Sequence, residues 1–416
     1  MRVAVICKSD QTGGAAVTSR RLTEALNAHG FNARMIVVEK KSGSPFVRQA
    51  PWPHRQKWAF LKERLHIYIA DGFSKANLFK IDTGEEGLPL WRLPEVRDAE
   101  AVILNWVNQG MLSLKGVERL VREGKKVIWT MHDMWNFTGI CHHAMGCDHF
   151  KRECGNCFLL GRKASPGDLS LRIWQRKREL YDLDGIQFVA VSRWLLDLAK
   201  QSSLLGSRKI HHIPNAFPLD ETADMEDLKK TPRDRRILFV AARLDDPIKG
   251  IGTLREAIRI FNSRYPEEAA DTSLHLVGGV KDTRELEGFD VRTEWHGSVD
   301  DGDRMRRLYA SSAAVVSTSH FENLPGTLIE GQAYGAVPVA FNRGGQPDIV
   351  DHLSTGYLAP WIDDLSMRAA NIADGLHWAL AQGEEIREKM RKSVIDKFSY
   401  DKIAGEYARI LKTDLN

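Results

Sequence analysis

The sequence predicts an α/β protein of two doubly wound, Rossmann-like domains, and three observations carry that expectation. At about 100–200 residues per domain, a chain of 416 residues points to two. Short β-rich runs alternate with helical spacing twice over, which is the pattern of parallel sheets. Between the two series, residues 218–236 turn acidic and then basic with no apolar periodicity, as a linker does. Hydrophobic residues at 43%, charged residues at 27% and a mean hydropathy of -0.34 exclude a disordered chain. No apolar run approaches the ~18 residues of a membrane span.

Residues 2–7 read as a buried strand, Gly13-Gly14 as a loop, and 15–29 as a helix stopped by Gly30. Strands follow at 33–38, 101–105, 126–131 and 187–191, with helices near 116–123 and 193–202. Beyond the linker, strands are expected at 237–242, 274–277, 292–295, 313–317 and 337–340, and helices near 253–261, 303–310 and 327–334. The tail from 384 to 411 carries Ile386, Met390, Val394, Phe398, Ile403, Tyr407 and Ile410 at amphipathic helical spacing. The expected domains are 1–217 and 218–390, with 391–416 crossing back to the first. The first residues turn polar at Lys8 and Ser9, without the long apolar segment of a leader, so a cytoplasmic location is expected.

Ligands of open parallel sheets bind at the carboxyl ends of strands, where helix N-termini present unpaired amides. Two loops of the second half fit. Arg243 and Lys249, ahead of Gly250, put two cations where a diphosphate could be held, or form a solvated loop pair. From Ser319 to Glu330 two carboxylates flank a turn, with Pro325 suited to a helix start. Glu330 lies among Leu328, Ile329, Gly331 and Ala333, so it needs a polar partner.

The spacing Glu322-x7-Glu330, the Arg243…Lys249-Gly250 loop, Gly13-Gly14, Ile213-Pro214-Asn215 and the Gly344-Gly345 loop with Asp348 and Ile349 recur in order over nearly the whole chain. In these motifs the sequence resembles the retaining GT-B glycosyltransferases of family 4, the type that builds bacterial polysaccharide, capsule and O-antigen. The resemblance implies two Rossmann-like domains facing a cleft that holds the active site, with the C-terminal helices packing back on the N-terminal domain. It implies a sugar moved from a nucleotide diphosphate donor, a UDP- or GDP-sugar, to a hydroxyl of a glycan or lipid-linked saccharide. Arg243 and Lys249 then neutralise the diphosphate, Glu330 holds the ribose hydroxyls and Glu322 contacts the donor sugar. Gly14, Asn323, Gly326 and Thr327 complete the donor side. Fixed cations and amides stabilise the charge that develops on the leaving group, so no metal ion or other cofactor is required. Retention in this family is usually explained by front-face attack of the acceptor hydroxyl. The sequence departs in Pro325, where many relatives have glycine, and in a cation loop one residue longer than the commonest form.

Residues 127–131 lead into His132-Asp133-Met134-Trp135, a strand-end loop rich in polar and aromatic groups. By resemblance His132 faces the donor sugar; Asp133 and Trp135 are placed on the acceptor side. A histidine satisfied inside the fold is the alternative reading of His132. Eight of the eleven tryptophans precede residue 200, which suits saccharide stacking or a core.

Four of the five cysteines, Cys141, Cys147, Cys154 and Cys157, crowd one stretch with His142, His143 and His149. They supply ligands for a structural zinc, although only the last pair has the usual knuckle spacing; plain thiols are the alternative. Between Lys40 and His66 seven cations (Lys40, Lys41, Arg48, Arg55, Lys57, Lys62, Arg64) meet one acid, Glu63, amid Phe46, Trp52, Trp58, Phe60, Leu61 and Leu65. That mixture suits an anionic membrane surface, here the inner face of the plasma membrane, or an ordinary solvated helix face.

Rival readings are a nucleotide-sugar epimerase or phosphorylase on the same architecture, and a zinc-containing nucleic-acid-binding protein. Glu322 and Glu330 disfavour the epimerase, no lysine stands out for a pyridoxal cofactor, and the favoured reading expects no nucleic-acid partner. A dinucleotide oxidoreductase is disfavoured because no Gly-x-Gly-x-x-Gly follows the first strand.

Overall fold

The computed structural model describes residues 1–219, 231 and 233–413. Most of the expected linker, 220–230 and 232, lies outside the described residues. The chain divides into two compact units, Met1–Pro218 with Tyr400–Asn416, and Leu219–Ser399.

The first unit holds β1 (Arg2–Ile6), β2 (Asn32–Val37), β3 (Val47–Gln49), β4 (Ala101–Leu104), β5 (Lys126–Met131), β6 (Ile186–Ala190) and β7 (Ile210–His212). They form one sheet in the order β3-β2-β1-β4-β5-β6-β7, every pair parallel. β4 and β5 are buried along their whole length, which is why they read as continuous apolar runs rather than alternating ones. Its longer helices before the linker are α1 (Gly14–Ala28), α2 (Pro53–Ala70), α3 (Leu114–Arg122), α4 (Leu169–Tyr181) and α5 (Arg193–Gln201).

The second unit repeats the plan with β8 (Asp234–Arg243), β9 (Ser273–Gly279), β10 (Arg292–Trp295), β11 (Ser312–Ser317), β12 (Val337–Phe341) and β13 (Tyr357–Ala359). The order is β10-β9-β8-β11-β12-β13, again all parallel. Its longer helices are α6 (Ile251–Arg264), α7 (Gly302–Ala310), α8 (Gly326–Ala333), α9 (Leu365–Leu380) and α10 (Glu385–Phe398). In each sheet the winding reverses once, between β1 and β4 and between β8 and β11. Those two reversals are where an open parallel sheet receives a ligand.

The chain rejoins the first unit at Tyr400, and not at Arg391. Met390 lies in the second unit's core, and Arg387 and Arg391 donate to the Ala310 and Ala333 carbonyls there, which ties α10 to its own unit. The last helix, α11 (Tyr400–Lys412), instead buries Ile403, Ala404, Tyr407 and Leu411 with residues of α1 and the first sheet. Tyr407 Oη lies 2.8 Å from Thr130 Oγ1 on β5, and the Tyr400 hydroxyl donates to Glu24 on α1 at 2.9 Å.

Candidate functional site

Helix starts differ in a way that marks the site. Ser113, Asp168, Ser192, Asp301 and Asp364 cap α3, α4, α5, α7 and α9 with side-chain oxygens. Side-chain caps are absent at α2 and α10, whose capping positions are Trp52 and Glu384; at α1, α6 and α8 the capping positions are Gly13, Gly250 and Pro325, and no side chain takes the first amides. These three helices open at or beside the winding reversals, so their free N–H groups and positive dipole ends collect where a ligand would enter each unit.

In the second unit the loop after β8 is clamped to the loop after β11. Thr318 Oγ1 donates to the carbonyls of Lys249 and Gly250, both at 3.0 Å, and the His320 amide donates to the Ile248 carbonyl at 2.8 Å. Gly250 sits at φ +70°, and a Cβ there would meet the Thr318 carbonyl oxygen at 2.3 Å, so the clamp requires glycine. The result brings the two expected site residues together: Lys249 Nζ lies 2.6 Å from Glu322 Oε1. The Glu322 backbone is fixed in turn, its carbonyl accepting from the Gly345 amide of the loop after β12 at 3.0 Å. Asn323 lies in the turn between Glu322 and α8, and Gly326 and Thr327 open that helix. One turn further on, Glu330 gains the polar partner that its apolar neighbours demanded, the Tyr309 hydroxyl of α7, which donates to Oε2 at 3.5 Å.

Arg243 ends β8 and is half-exposed, paired through two bonds with Asp245 at 3.1 and 2.9 Å. The pair holds Arg243 above and Asp245 below their ordinary pKa values, chiefly through that shared hydrogen bonding. Arg243 therefore points its fork at a carboxylate of its own loop, and a diphosphate would have to compete with Asp245 for it.

In the first unit Gly14 begins α1 at the end of β1, and nothing lies within 4 Å of where its Cβ would be. His132, at the end of β5, has Nε2 2.9 Å from Asn105 Oδ1 at the end of β4. Burial lowers its pKa to about 4, against a smaller upward pull from Asp133, so it is neutral at physiological pH.

Trp135 departs from the expectation of an acceptor surface, and Asp133 is engaged by its neighbours. Asp133 Oδ1 accepts the Trp135 amide at 2.8 Å; Oδ2 accepts Trp106 Nε1 at 3.2 Å and pairs with His142 Nδ1 at 2.8 Å. Burial opposes its ionisation, yet His142 and these donors hold the carboxylate at about 2. The Trp135 ring is 3% exposed, donates to the Asp82 carbonyl at 2.8 Å and packs on Trp129, so it offers no stacking face.

Behind Asp133 runs a buried chain of charges that motif reading missed. His142 Nε2 meets Asp82 Oδ2 at 2.7 Å; Asp82 also binds Arg64, which lies 3.3 Å from Glu63. Glu63 accepts the Thr83 and Gly84 amides at 2.9 and 3.0 Å. Burial opposes a charge on His142, but the two flanking carboxylates raise it to about 10. The only signal available was the pairing of Glu63 with Arg64 in a helix whose other charges are cations. Arg64 is therefore no part of an exposed basic face, as its place in the Lys40 to His66 run had suggested.

A family model described as "Glycosyl transferases group 1" matches residues 234–378, which contain every second-unit residue of the candidate site. The second unit carries a glycosyl transferases group 1 domain. The phosphatidyl-myo-inositol mannosyltransferase of Mycobacterium tuberculosis strain H37Rv is 26% identical over 226 residues, 52% of this chain and 58% of that protein. The chain thus spans little more than half the length of these mannosyltransferases. The putative colanic acid biosynthesis glycosyl transferase WcaC of Escherichia coli K12 is 23% identical over 357 residues, 81% of this chain and 82% of its own. Among solved structures, sucrose-phosphate synthase from Thermosynechococcus elongatus superposes with a TM-score of 0.63 at 17% identity, covering 98% of this chain and 97% of that one. WaaG, a glycosyltransferase of lipopolysaccharide biosynthesis, gives 0.60 at 12% identity over 99% and 100%. The group 1 domain and the unit before it therefore share the GT-B fold.

Proposed function

We propose that the protein is a retaining glycosyltransferase that moves a sugar from a nucleotide diphosphate donor to a hydroxyl of a glycan or lipid-linked saccharide. The observation that carries this reading is the Lys249–Glu322 pair at 2.6 Å, set between the uncapped starts of α6 and α8 inside the group 1 domain. A diphosphate placed there meets the Lys249 ammonium, Arg243 once released from Asp245, and the amides of Gly326 and Thr327. Lys249 and the helix amides are fixed before reaction and stabilise the charge that grows on the departing diphosphate without reorganising, whereas Arg243 must first leave Asp245. Glu322, held by Lys249, is the acceptor for hydroxyls of the donor sugar, and Glu330 for those of the ribose. Neutral His132 of the first unit, its Nε2–H turned to Asn105 Oδ1, offers a sugar hydroxyl an acceptor nitrogen without adding charge. A solved relative in complex with UDP and glucose supports a UDP-sugar as the first donor class to try.

The test is a thermal-shift screen of UDP, GDP, ADP, CMP and their sugar conjugates with and without EDTA. One nucleotide diphosphate should raise the melting temperature and keep doing so under chelation. Glu330→Ala should weaken that nucleotide about tenfold, ~1.4 kcal/mol; unchanged affinity would mean that the ribose assignment is wrong. The anomeric configuration of the product, read by NMR, decides between retention and inversion.

The acceptor side of the reading includes a lipid surface, specifically the inner face of the plasma membrane. No described helix is long and apolar enough to cross a membrane. α2 instead exposes Trp58 (73%), Leu61 (45%), Leu65 (57%) and Ile69 (49%) along one stripe at helical spacing. Arg55, Lys57 and Lys62 flank it, and the helix's only acid, Glu63, is buried. A solvated helix face would not expose four large apolar groups in register; an anionic bilayer surface would accept both stripe and cations.

A further inference from the structure

The four clustered cysteines take no part in donor chemistry, and we infer that they form a structural metal site for a thiolate-preferring ion such as zinc. Residues 138–168 contain only short 3-10 turns, His149–Lys151 and Phe158–Lys163. A loop of that length without helix or strand is uncommon in a compact domain unless something braces it. Yet it is ordered around buried Ile140, Phe150, Leu159 and Leu160.

Cys141, Cys147, Cys154 and Cys157 all line one cavity of about 20 Å³ within this loop, together with His149 and Phe150. The space suits one atom-sized occupant. A water there would need two to four polar partners, and the wall exposes little polar surface. Donors already aim at the sulfurs: the Gly139 amide reaches Cys154 Sγ at 3.2 Å and the Leu159 amide bonds Cys157. Amide-to-sulfur bonds of this kind stabilise thiolates that a metal holds. Between Cys154 and Cys157, Gly155 and Asn156 both take positive φ, at 145° and 47°, which folds the chain into a tight knuckle with both cysteines on the cavity wall. The Asp168 carboxylate pins the turn by accepting the Cys157 amide at 2.8 Å while capping α4. Lys177 donates to the Thr138 and Gly139 carbonyls at 3.1 and 3.0 Å, placing an ammonium beside the cluster.

Binding converts four thiols and a divalent cation into a tetrathiolate centre of charge minus two with release of four protons, and Lys177 offsets part of that charge. Tetrahedral zinc with Zn–S of about 2.3 Å needs sulfurs about 3.8 Å apart. No three of these sulfurs stand within 4.8 Å of one another, so loading must draw them inward onto the cavity. Among the described residues the one trio that meets that spacing is His275, Glu294 and His296 in the other unit. There His275 Nδ1 is engaged by His296 Nε2 at 2.7 Å, and Arg236 and Arg292 add positive charge against that of Glu294.

The experiment is zinc content per chain, by mass spectrometry, of the full protein purified from zinc-supplemented cells under reducing conditions. About one zinc is expected in the wild type and in His275→Gln/His296→Gln, and less than ~0.2 in Cys154→Ser/Cys157→Ser. Zinc below ~0.2 in the wild type, or zinc retained in the cysteine variant, or zinc lost in the histidine variant overturns the inference. Should the cysteine variant fail to fold, wild-type protein titrated with an organomercurial must release its zinc in step with four thiols; zinc that stays bound after those thiols react overturns it equally. The nucleotide thermal shift, measured in parallel, reads the donor site separately, so either conclusion can fail alone.

Discussion

Lys249 Nζ and Glu322 Oε1 stand 2.6 Å apart although 73 residues separate them, because the loops after β8 and β11 are locked by Thr318 and Gly250. An ammonium and a carboxylate so placed neutralise each other at rest. On the proposed reading, a bound diphosphate would share Lys249 and leave Glu322 a stronger acceptor for sugar hydroxyls. The two side chains should therefore act as a unit. Lys249→Ala and Glu322→Gln are each expected to lower kcat about 10²–10³-fold, the scale of losing one fixed electrostatic contact. The double variant should lose far less than the product of the two. Steady-state kinetics on the four proteins checks this, and strict additivity would show that the pair is only a surface salt bridge.

The buried chain Asp133–His142–Asp82–Arg64–Glu63 makes a different prediction, about stability. Asp82 binds both His142 at 2.7 Å and Arg64, and it is fully buried. Asp82→Asn leaves two buried cations with one fewer counter-charge. Removing one partner of a buried pair typically costs about 3–5 kcal/mol. Urea denaturation should show a loss of that order, with nucleotide affinity of the second unit nearly unchanged at temperatures where the variant is folded. A loss below about 1 kcal/mol would mean that water enters the network freely.

His132 sets an acid limit. Its folded pKa of about 4 lies below the ordinary value of 6.5, so between those pH values the unfolded chain binds the extra proton and the folded one does not. Stability contributed by neutral His132 is complete above pH 6.5 and falls as pH drops toward 4. The full linkage is on the order of 3 kcal/mol. Asp133, at about 2, stays ionised through that window and does not mask it. His132→Asn should flatten the slope of unfolding free energy between pH 6.5 and 4.5, and equal slopes in both proteins would show that His132 is solvated.

Much of this was legible in sequence where side chains are buried in runs or fixed by turns. β4, β5, β11 and β12 are wholly buried and announce themselves as apolar blocks. β3, β7 and β13 were missed, being three-residue edge strands whose pairing is decided by neighbours and not by their own composition. In the site, Glu330's need for a partner could be read from its apolar neighbours, but Tyr309 could not, since it comes from another helix. Trp135 went wrong for a related reason: aromatic content says nothing about which face of a loop meets solvent, and Asp82 draws that ring inward. Likewise Arg64 counted as one more surface cation until its helix turned it toward Asp82.

That helix, α2, yields the last prediction. With Arg64 and Glu63 buried, its outer face is Trp58, Leu61, Leu65 and Ile69 flanked by Arg55, Lys57 and Lys62, although Lys62 also meets Glu86 at 2.7 Å. Each exposed cation near an anionic bilayer contributes about 1 kcal/mol, and the attraction weakens within the screening length of salt. Inserted side chains add apolar burial that salt does not screen. Flotation with vesicles containing anionic lipid should recover the wild type, less of it as salt rises. Arg55→Gln/Lys57→Gln should lose the salt-sensitive part, and Trp58→Ser/Leu65→Ser the remainder, with the nucleotide thermal shift preserved in both. Protein that stays unbound at low salt would leave the stripe without a lipid role.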